Sequence, residues 1–229
     1  MRNALVLALA LVLPMLSWVT YTVAGQITDT FDGTQIDTGK WGEIGSCYGI
    51  NVSQSGALII SGTSTSAQSW GAGGWVRTAQ WFPSDGIEVS VDMTGGGNYY
   101  WAGMWLSDGV NCIHFYTSRH LQPVGYTYYI NGQGVYNVWL SGQPGLNYRM
   151  KYAGGRVTFL MDGKYLGAQA IPLSSVRVEL SAAADRYQDS VDARFDNFSV
   201  NFVPEPSSTV ALLCGVGGMT GMAWRRNRK

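Results

Sequence analysis

Across the middle of the chain, apolar and polar side chains alternate in short runs separated by glycine, asparagine and aspartate. A period of two sends successive side chains to opposite faces of a strand, so each run reads as a strand with one buried face. The pattern predicts strands over 50–53, 57–61, 75–79, 87–94, 99–107, 111–117 and 126–130, and then over 136–140, 148–152, 156–161, 164–166, 176–182 and 191–203. Between them stand Gly95-Gly96-Gly97-Asn98, Ser107-Asp108-Gly109, Asn131-Gly132, Gly154-Gly155 and Asp162-Gly163, all residues that accept turn conformations. Many short strands with no long helical period and no internal repeat predict an all-β, antiparallel, two-sheet sandwich or barrel.

Both ends break this pattern. Met1-Arg2-Asn3 precedes an apolar segment over 4–16, and Thr22-Val23-Ala24 offers the small residues that a signal peptidase reads, so 1–24 is expected to be a signal peptide with a short helix. At the other end, Val203-Pro204-Glu205-Pro206 leads into an uncharged run over 207–224 and then Arg225-Arg226-Asn227-Arg228-Lys229. As a helix that run would reach across about 27 Å of hydrocarbon, and the basic end would hold on the cytoplasmic side. The expected organisation is a signal peptide (1–24), a β-sandwich (25–202) and a transmembrane sorting tail (203–229). The membrane is then a partner only through the terminal helices before processing. Uncleaved anchors are the rival readings of the two ends.

Charge changes the picture once the ends are set aside. Five of the fifteen basic residues lie in the terminal segments, whereas all fifteen acidic ones fall between Asp29 and Glu205. With ten basic residues against fifteen acidic, the exported portion has net charge −5. No basic cluster faces a phosphate backbone, so nucleic acid is excluded as a partner. Cys47 and Cys112 are the two cysteines outside the tail, and in an exported protein they read as one disulfide or as two buried free thiols. Cys112, His114 and His120 lack a second ligand pair at zinc spacing.

Alternation also assigns faces. Ile87, Val89, Val91 and Met93 form one apolar set, leaving Glu88 and Asp92 outward. On the next strand Tyr100, Ala102, Met104 and Leu106 face the core, so Tyr99, Trp101 and Trp105 face out. On the one after, Ile113 and Phe115 face in, with His114 and Tyr116 outside. If these strands are neighbours, Glu88, Asp92, Tyr99, Trp101, Trp105, His114 and Tyr116 share one surface. Aromatic rings beside acids and an imidazole suit the C–H faces and hydroxyls of a sugar. A face assigned one residue out of register would instead bury both tryptophans.

Two resemblances follow. The tail, with Val203-Pro204-Glu205-Pro206, the apolar run and Arg225-Arg226, resembles the PEP-CTERM sorting signal of Gram-negative bacteria. That resemblance implies an exosortase as processing partner, delivery to the cell surface, outer membrane or extracellular matrix, and an extracellular polysaccharide as neighbour. The body resembles the concanavalin A-like lectin/glucanase sandwiches. It does so through Asp29-Thr30-Phe31-Asp32-Gly33-Thr34-Gln35-Ile36-Asp37 with Trp41, through Phe159-Leu160-Met161-Asp162-Gly163-Lys164-Tyr165-Leu166-Gly167, and through Ala193-Arg194-Phe195-Asp196-Asn197-Phe198-Ser199-Val200. That implies a jelly roll whose concave sheet lines a sugar-holding groove. It also implies a calcium ion near the first and last strands, for which Asp32 and Asp196 are the candidates, although two carboxylates are too few for a full shell; no other cofactor is expected.

The laminarinase- and lichenase-type glucanases of that fold carry Glu-x-Asp-x-x-Glu on a groove strand. The matching stretch here, Asn111-Cys112-Ile113-His114-Phe115-Tyr116, holds no carboxylate, and Glu88 and Asp92 stand roughly 13 Å apart along one strand. The expectation is therefore a non-catalytic exported domain associated with polysaccharide. Its rivals are a structural matrix or coat protein, and a glycoside hydrolase with a non-standard carboxylate pair such as Glu88 with Asp108.

Overall fold

The computed structural model describes residues 26–69, 71–119, 123–140 and 143–202. These build strands β1 (Gln26–Asp29), β2 (Trp41–Ser46), β3 (Ile50–Gln54), β4 (Leu58–Thr63), β5 (Ala72–Thr78), β6 (Phe82–Pro83), β7 (Ile87–Gly97) and β8 (Tyr100–Ser107). The chain continues through β9 (Cys112–Ser118), β10 (Val124–Ile130), β11 (Gln133–Trp139), β12 (Asn147–Ala153), β13 (Arg156–Met161), β14 (Lys164–Ala170), β15 (Ser175–Ala184) and β16 (Ser190–Phe202). They form two antiparallel sheets. One runs β14-β13-β12-β7-β16-β4-β3 with β1 paired to β16, and the other runs β11-β10-β9-β8-β15-β5-β2 with β6 paired to β15.

The predicted all-β, two-sheet antiparallel sandwich is thus the fold. The expected terminal helices, with the calls on 1–24 and 203–229, lie outside the described residues. Among the described residues no helix is long and apolar enough to cross a membrane.

Each expected strand has a counterpart. Three that alternation did not reveal are β1, β2 and β6, β1 being only four residues long. The reason in β2 is local: Trp41-Gly42-Glu43-Ile44-Gly45-Ser46 contains two glycines and a register shift between Trp41 and Glu43, so its period of two is broken. β6 is only two residues long. The hairpins between β10 and β11 and between β13 and β14 turn on Asn131-Gly132 and Asp162-Gly163, whose four φ angles are all positive, as tight two-residue turns require.

The core lies between the sheets and comes from the inward set of each strand. Ile87, Val89 and Val91 of β7 face Ala102, Met104 and Leu106 of β8, all with no exposed surface. Phe115 packs on Tyr148 and on Phe159 with ring centroids 5.2 Å apart in both cases. Burying each such ring or branched side chain stabilises the fold by about 1.5–3 kcal/mol. The three glycines of Gly95-Gly96-Gly97-Asn98 stay paired with β16 as the end of β7, and Asn98 and Tyr99 carry the chain across to β8 in the other sheet. Asn98 pins this crossing: its Oδ1 accepts from the backbone N–H of Tyr99 at 2.9 Å and of Ser190 at 2.5 Å.

The opening and closing motifs meet. β1 lies beside β16, with Asp29 in register with Phe198. Phe31 stacks on Trp41, and Trp41 packs against Phe198 at 4.9 Å between ring centroids. Asp29 ties this corner: one carboxylate oxygen accepts from Phe31 N–H at 3.0 Å and the other from the Trp41 indole at 2.8 Å. An Asp29→Ala variant leaves the buried indole N–H without its acceptor. It is expected to lose about 1–3 kcal/mol of unfolding free energy in urea titrations with an unchanged m-value, and a loss below 0.5 kcal/mol would remove Asp29 from this role.

Candidate functional site

The outer face of the second sheet carries the chemistry. Direct register across seven strands aligns Glu43 (β2), Arg77 (β5), Glu179 (β15), Trp105 (β8), His114 (β9), Thr127 (β10) and Asn137 (β11) in one row. The adjacent row reads Gly45, Trp75, Ser181, Gly103, Tyr116, Gly125 and Trp139. The first row carries the charged groups beside Trp105 and His114, and in the second glycines and a serine separate Trp75, Tyr116 and Trp139, so rings can lie across neighbours that have no side chain. A Cβ on Gly45 would strike the Trp75 indole, and one on Gly103 would strike His114 Nε2, the Phe115 carbonyl oxygen and Tyr116 Cβ. Gly103 is therefore the floor on which the central rings rest.

His114 lies at the middle of this cluster, 4% exposed. Its imidazole stacks on Trp105 with centroids 4.0 Å apart and planes 1° from parallel, meets Trp101 edge-on at 4.6 Å, and lies 4.9 Å from Tyr116. Burial among these rings drives its pKa well below the usual histidine value. Nε2 is buried with no hydrogen-bond partner. Trp105 is held on a second side, its indole N–H donating to Ser181 Oγ at 2.9 Å.

Beside the rings stands a charged triad. Arg77 donates through Nη2 to Glu179 Oε2 at 2.6 Å, through Nε to the same oxygen at 3.1 Å, and through Nη1 to Glu43 Oε2 at 2.7 Å. Trp75 adds a bond from its indole to Glu43 Oε1 at 3.3 Å. Burial lowers the Arg77 pKa, but its bonds and attraction to Glu179 and then Glu43 outweigh that and leave it raised, so the guanidinium stays charged. Two carboxylates gripping one planar guanidinium keep their bound oxygens within about 8 Å of each other. Cys112, next along β9, has its thiol pushed up to about 11 by burial and by the nearby Glu179 and Asp108 charges, which makes it a poor nucleophile.

The face assignments for Trp101, Trp105, His114 and Tyr116 agree with the structure, and these four side chains come together. Tyr99 lies one residue before β8 and is exposed. Glu88 and Asp92 do not join them. β7 is in the first sheet, so its outward side chains point away from the opposite side of the sandwich; Glu88 pairs with Arg149 at 3.1 Å, and Asp92 accepts from Asn147 and Asn197 at 2.9 Å each. The expected shared surface is corrected accordingly, and Glu88 cannot pair with Asp108, which caps the β8–β9 turn by accepting from Val110 and Asn111 N–H.

The disulfide reading is corrected as well. Cys47 and Cys112 are free, separated by the strands β5, β15 and β8, about 19 Å of sheet, where a bridge needs Cα atoms within 7 Å. Asp32 accepts from Thr30 Oγ1 at 2.7 Å and Asp196 from Asn197 N–H at 2.7 Å. Among the described residues no three His, Cys, Asp or Glu side chains gather as a metal-binding group.

Sequence reasoning missed Glu43, Arg77 and Glu179. They are 34 and 102 residues apart along the chain, on strands that become neighbours only through the sheet order. The available signal was the alternation in β15, where Val176, Val178 and Leu180 face in and leave Glu179 out.

No protein-family profile matches the chain, and no curated protein does. Solved structures do. The β-glucanase of Bacillus licheniformis superposes with a TM-score of 0.58 at 15% identity, covering 79% of this chain and 99% of that one. The LamA protein of Zobellia galactanivorans, solved with laminaritriose and laminaritetraose, gives 0.59 at 9% identity over 80% and 100%. A protein of Mycobacterium tuberculosis described as an immunostimulatory antigen and pseudo β-1,3-glucanase gives 0.57 at 17% over 78% and 98%. The fold is therefore the concanavalin A-like jelly roll of the glucanases. The expectation of a non-catalytic domain is overturned: the structures that share this fold over about four-fifths of the chain include glucan hydrolases, and the outer face holds a carboxylate pair that reading β7 and β9 alone could not reveal.

A neutral buried imidazole has a measurable consequence. Below the ordinary histidine pKa of about 6.5 the unfolded chain takes up a proton that folded His114 does not. Stability should therefore fall with decreasing pH by about 1.4 kcal/mol per unit more steeply than in a His114→Phe variant. Parallel urea titrations between pH 4.5 and 7.5 check this, and identical slopes for the two proteins would show that His114 is protonated in the fold.

Proposed function

We propose that the domain is a carbohydrate-active enzyme of glycoside-hydrolase type, acting on a polysaccharide laid across the outer face of the second sheet. The observation that carries this reading is the Glu43–Arg77–Glu179 triad standing in register with Trp105 and His114. Hydrolysis of a glycosidic bond needs two carboxyl groups, one to protonate the departing oxygen and one to act as nucleophile or to activate water. Separations of about 5–9.5 Å serve one or the other route. Both Arg77 bonds to Glu179 fall on Oε2, which leaves Oε1 to meet substrate or water. Arg77 holds the two acids in place and offsets one of their charges. It has to release one of them for that group to carry a proton. Trp105, fixed by the His114 stack and the Ser181 bond, supplies an apolar surface for a sugar ring beside Glu179.

The wild-type domain is expected to release reducing sugar from a β-1,3- or mixed-linkage β-glucan. Glu179→Gln should lower kcat at least 100-fold while circular dichroism and Tm stay close to wild type. Absence of release across a panel of β-glucans, or full activity in both Glu179→Gln and Glu43→Gln, would reject the reading.

Around this domain we propose the export route that the terminal sequences support. A signal peptidase removes 1–24. The tail then holds the protein at the inner membrane until an exosortase cuts near Val203-Pro204-Glu205-Pro206, and Arg225 and Arg226 stay on the cytoplasmic side. The product is delivered to the cell surface, outer membrane or matrix, where polysaccharide is its partner. Mass spectrometry of protein recovered from the surface should find a C-terminus within a few residues of Pro204. A surface form still ending in Lys229 would favour an uncleaved anchor.

A further inference from the structure

The carboxylate pair is not central on its face. The row of aligned residues spans seven strands, and the acids occupy β2 and β15 at one end of it, with β2 the edge strand. From Glu179 to the β2 edge is two interstrand steps, about 10 Å; from Glu179 to Asn137 on the opposite edge strand β11 is four steps, about 19 Å. The rings are distributed just as unevenly. Trp101, Trp105, His114, Tyr116, Tyr129 and Trp139 make one connected set of ring contacts over β8 to β11, while among the described residues the short side holds Trp75 and the exposed Trp81, whose ring lies over Arg177 of β15. The short arm also ends on Gly45, whose surface the Trp75 indole already covers.

We infer that the site cleaves close to one end of a glycan chain, holding the long portion on the aromatic arm and releasing units of one or two sugars from the β2 side. This rests on the hydrolytic reading above and adds the position of the cut to it. A pyranose ring is comparable in length with one interstrand step of about 4.8 Å. The short arm therefore has room for two rings before the sheet ends, and the long arm for three or four. Binding energy from stacking and hydrogen bonding accumulates on the long arm, so a chain is placed with its bulk there and its end across the acids. In the cut, the glycosidic carbon–oxygen bond breaks and water divides between the two products, a hydroxyl to the anomeric carbon and a proton to the departing oxygen. No oxidant, reductant or further reactant is needed.

The position of the cut is read from a hexasaccharide of β-1,3-linked glucose tagged at its reducing end, digested by the wild-type domain to below 10% conversion and resolved by mass spectrometry. The inference expects fragments of one or two sugars from a single end, with their complements of five or four, to exceed the three-plus-three products at least tenfold. Three-plus-three products in equal or greater amount overturn the end-directed cut and leave the hydrolytic reading standing. No cleavage of this or any other β-glucan hexasaccharide overturns both.

Discussion

A β-strand has only two faces, and in this protein one face of nearly every strand is committed to the seam between the sheets. That commitment is the constraint from which the rest follows. With Ile87, Val89 and Val91 sealed against Ala102, Met104 and Leu106, the register of each strand cannot slip by one residue without turning its core set into water. The outward residues are then determined to the last position. The core also holds the two sheets at a fixed spacing, so a side chain on the outer face of one has no route to the outer face of the other.

The surface chemistry is consequently divided. The first sheet presents Glu88 with Arg149 and Asp92 with two asparagines, groups that satisfy one another locally. The second presents a face where the local demands conflict. His114 is buried without a partner for Nε2, Arg77 is shared between two acids, and glycine is required at 103 because three neighbours converge there. A buried polar atom without a bond costs stability, and His114 Nε2 shares that condition with Gln54 Oε1 and Tyr148 Oη of the first sheet, so it is the shared guanidinium and the required glycine that set this face apart. The imidazole and Trp105 support each other, and Trp105 in turn stands next to Glu179.

The strand that bears the acids in the laminarinase- and lichenase-type glucanases has no counterpart to them here. β9 offers Cys112, His114 and Tyr116 on its outer side, and the acids of the proposed site stand on β2 and β15 instead. On the proposed reading the same fold carries a site shifted along the face, as a common scaffold with different chemistry would.

The linear sequence by itself determined the class of fold, the position of most strands, the two hairpin turns at Asn131-Gly132 and Asp162-Gly163, and which residues of β7, β8 and β9 face outward. Each of these depends on near neighbours: a period of two, a turn residue, a run of β-branched or aromatic side chains. Only the tertiary structure decided that β7 and β8 belong to different sheets, that Cys47 and Cys112 lie too far apart to bridge, and that Glu43, Arg77 and Glu179 stand side by side. Strand order is set by how two curved layers close around a shared core, and alternation along a strand carries no record of its neighbours. Which residues face out was legible from the chain; which of them face out together was a matter of sheet order alone.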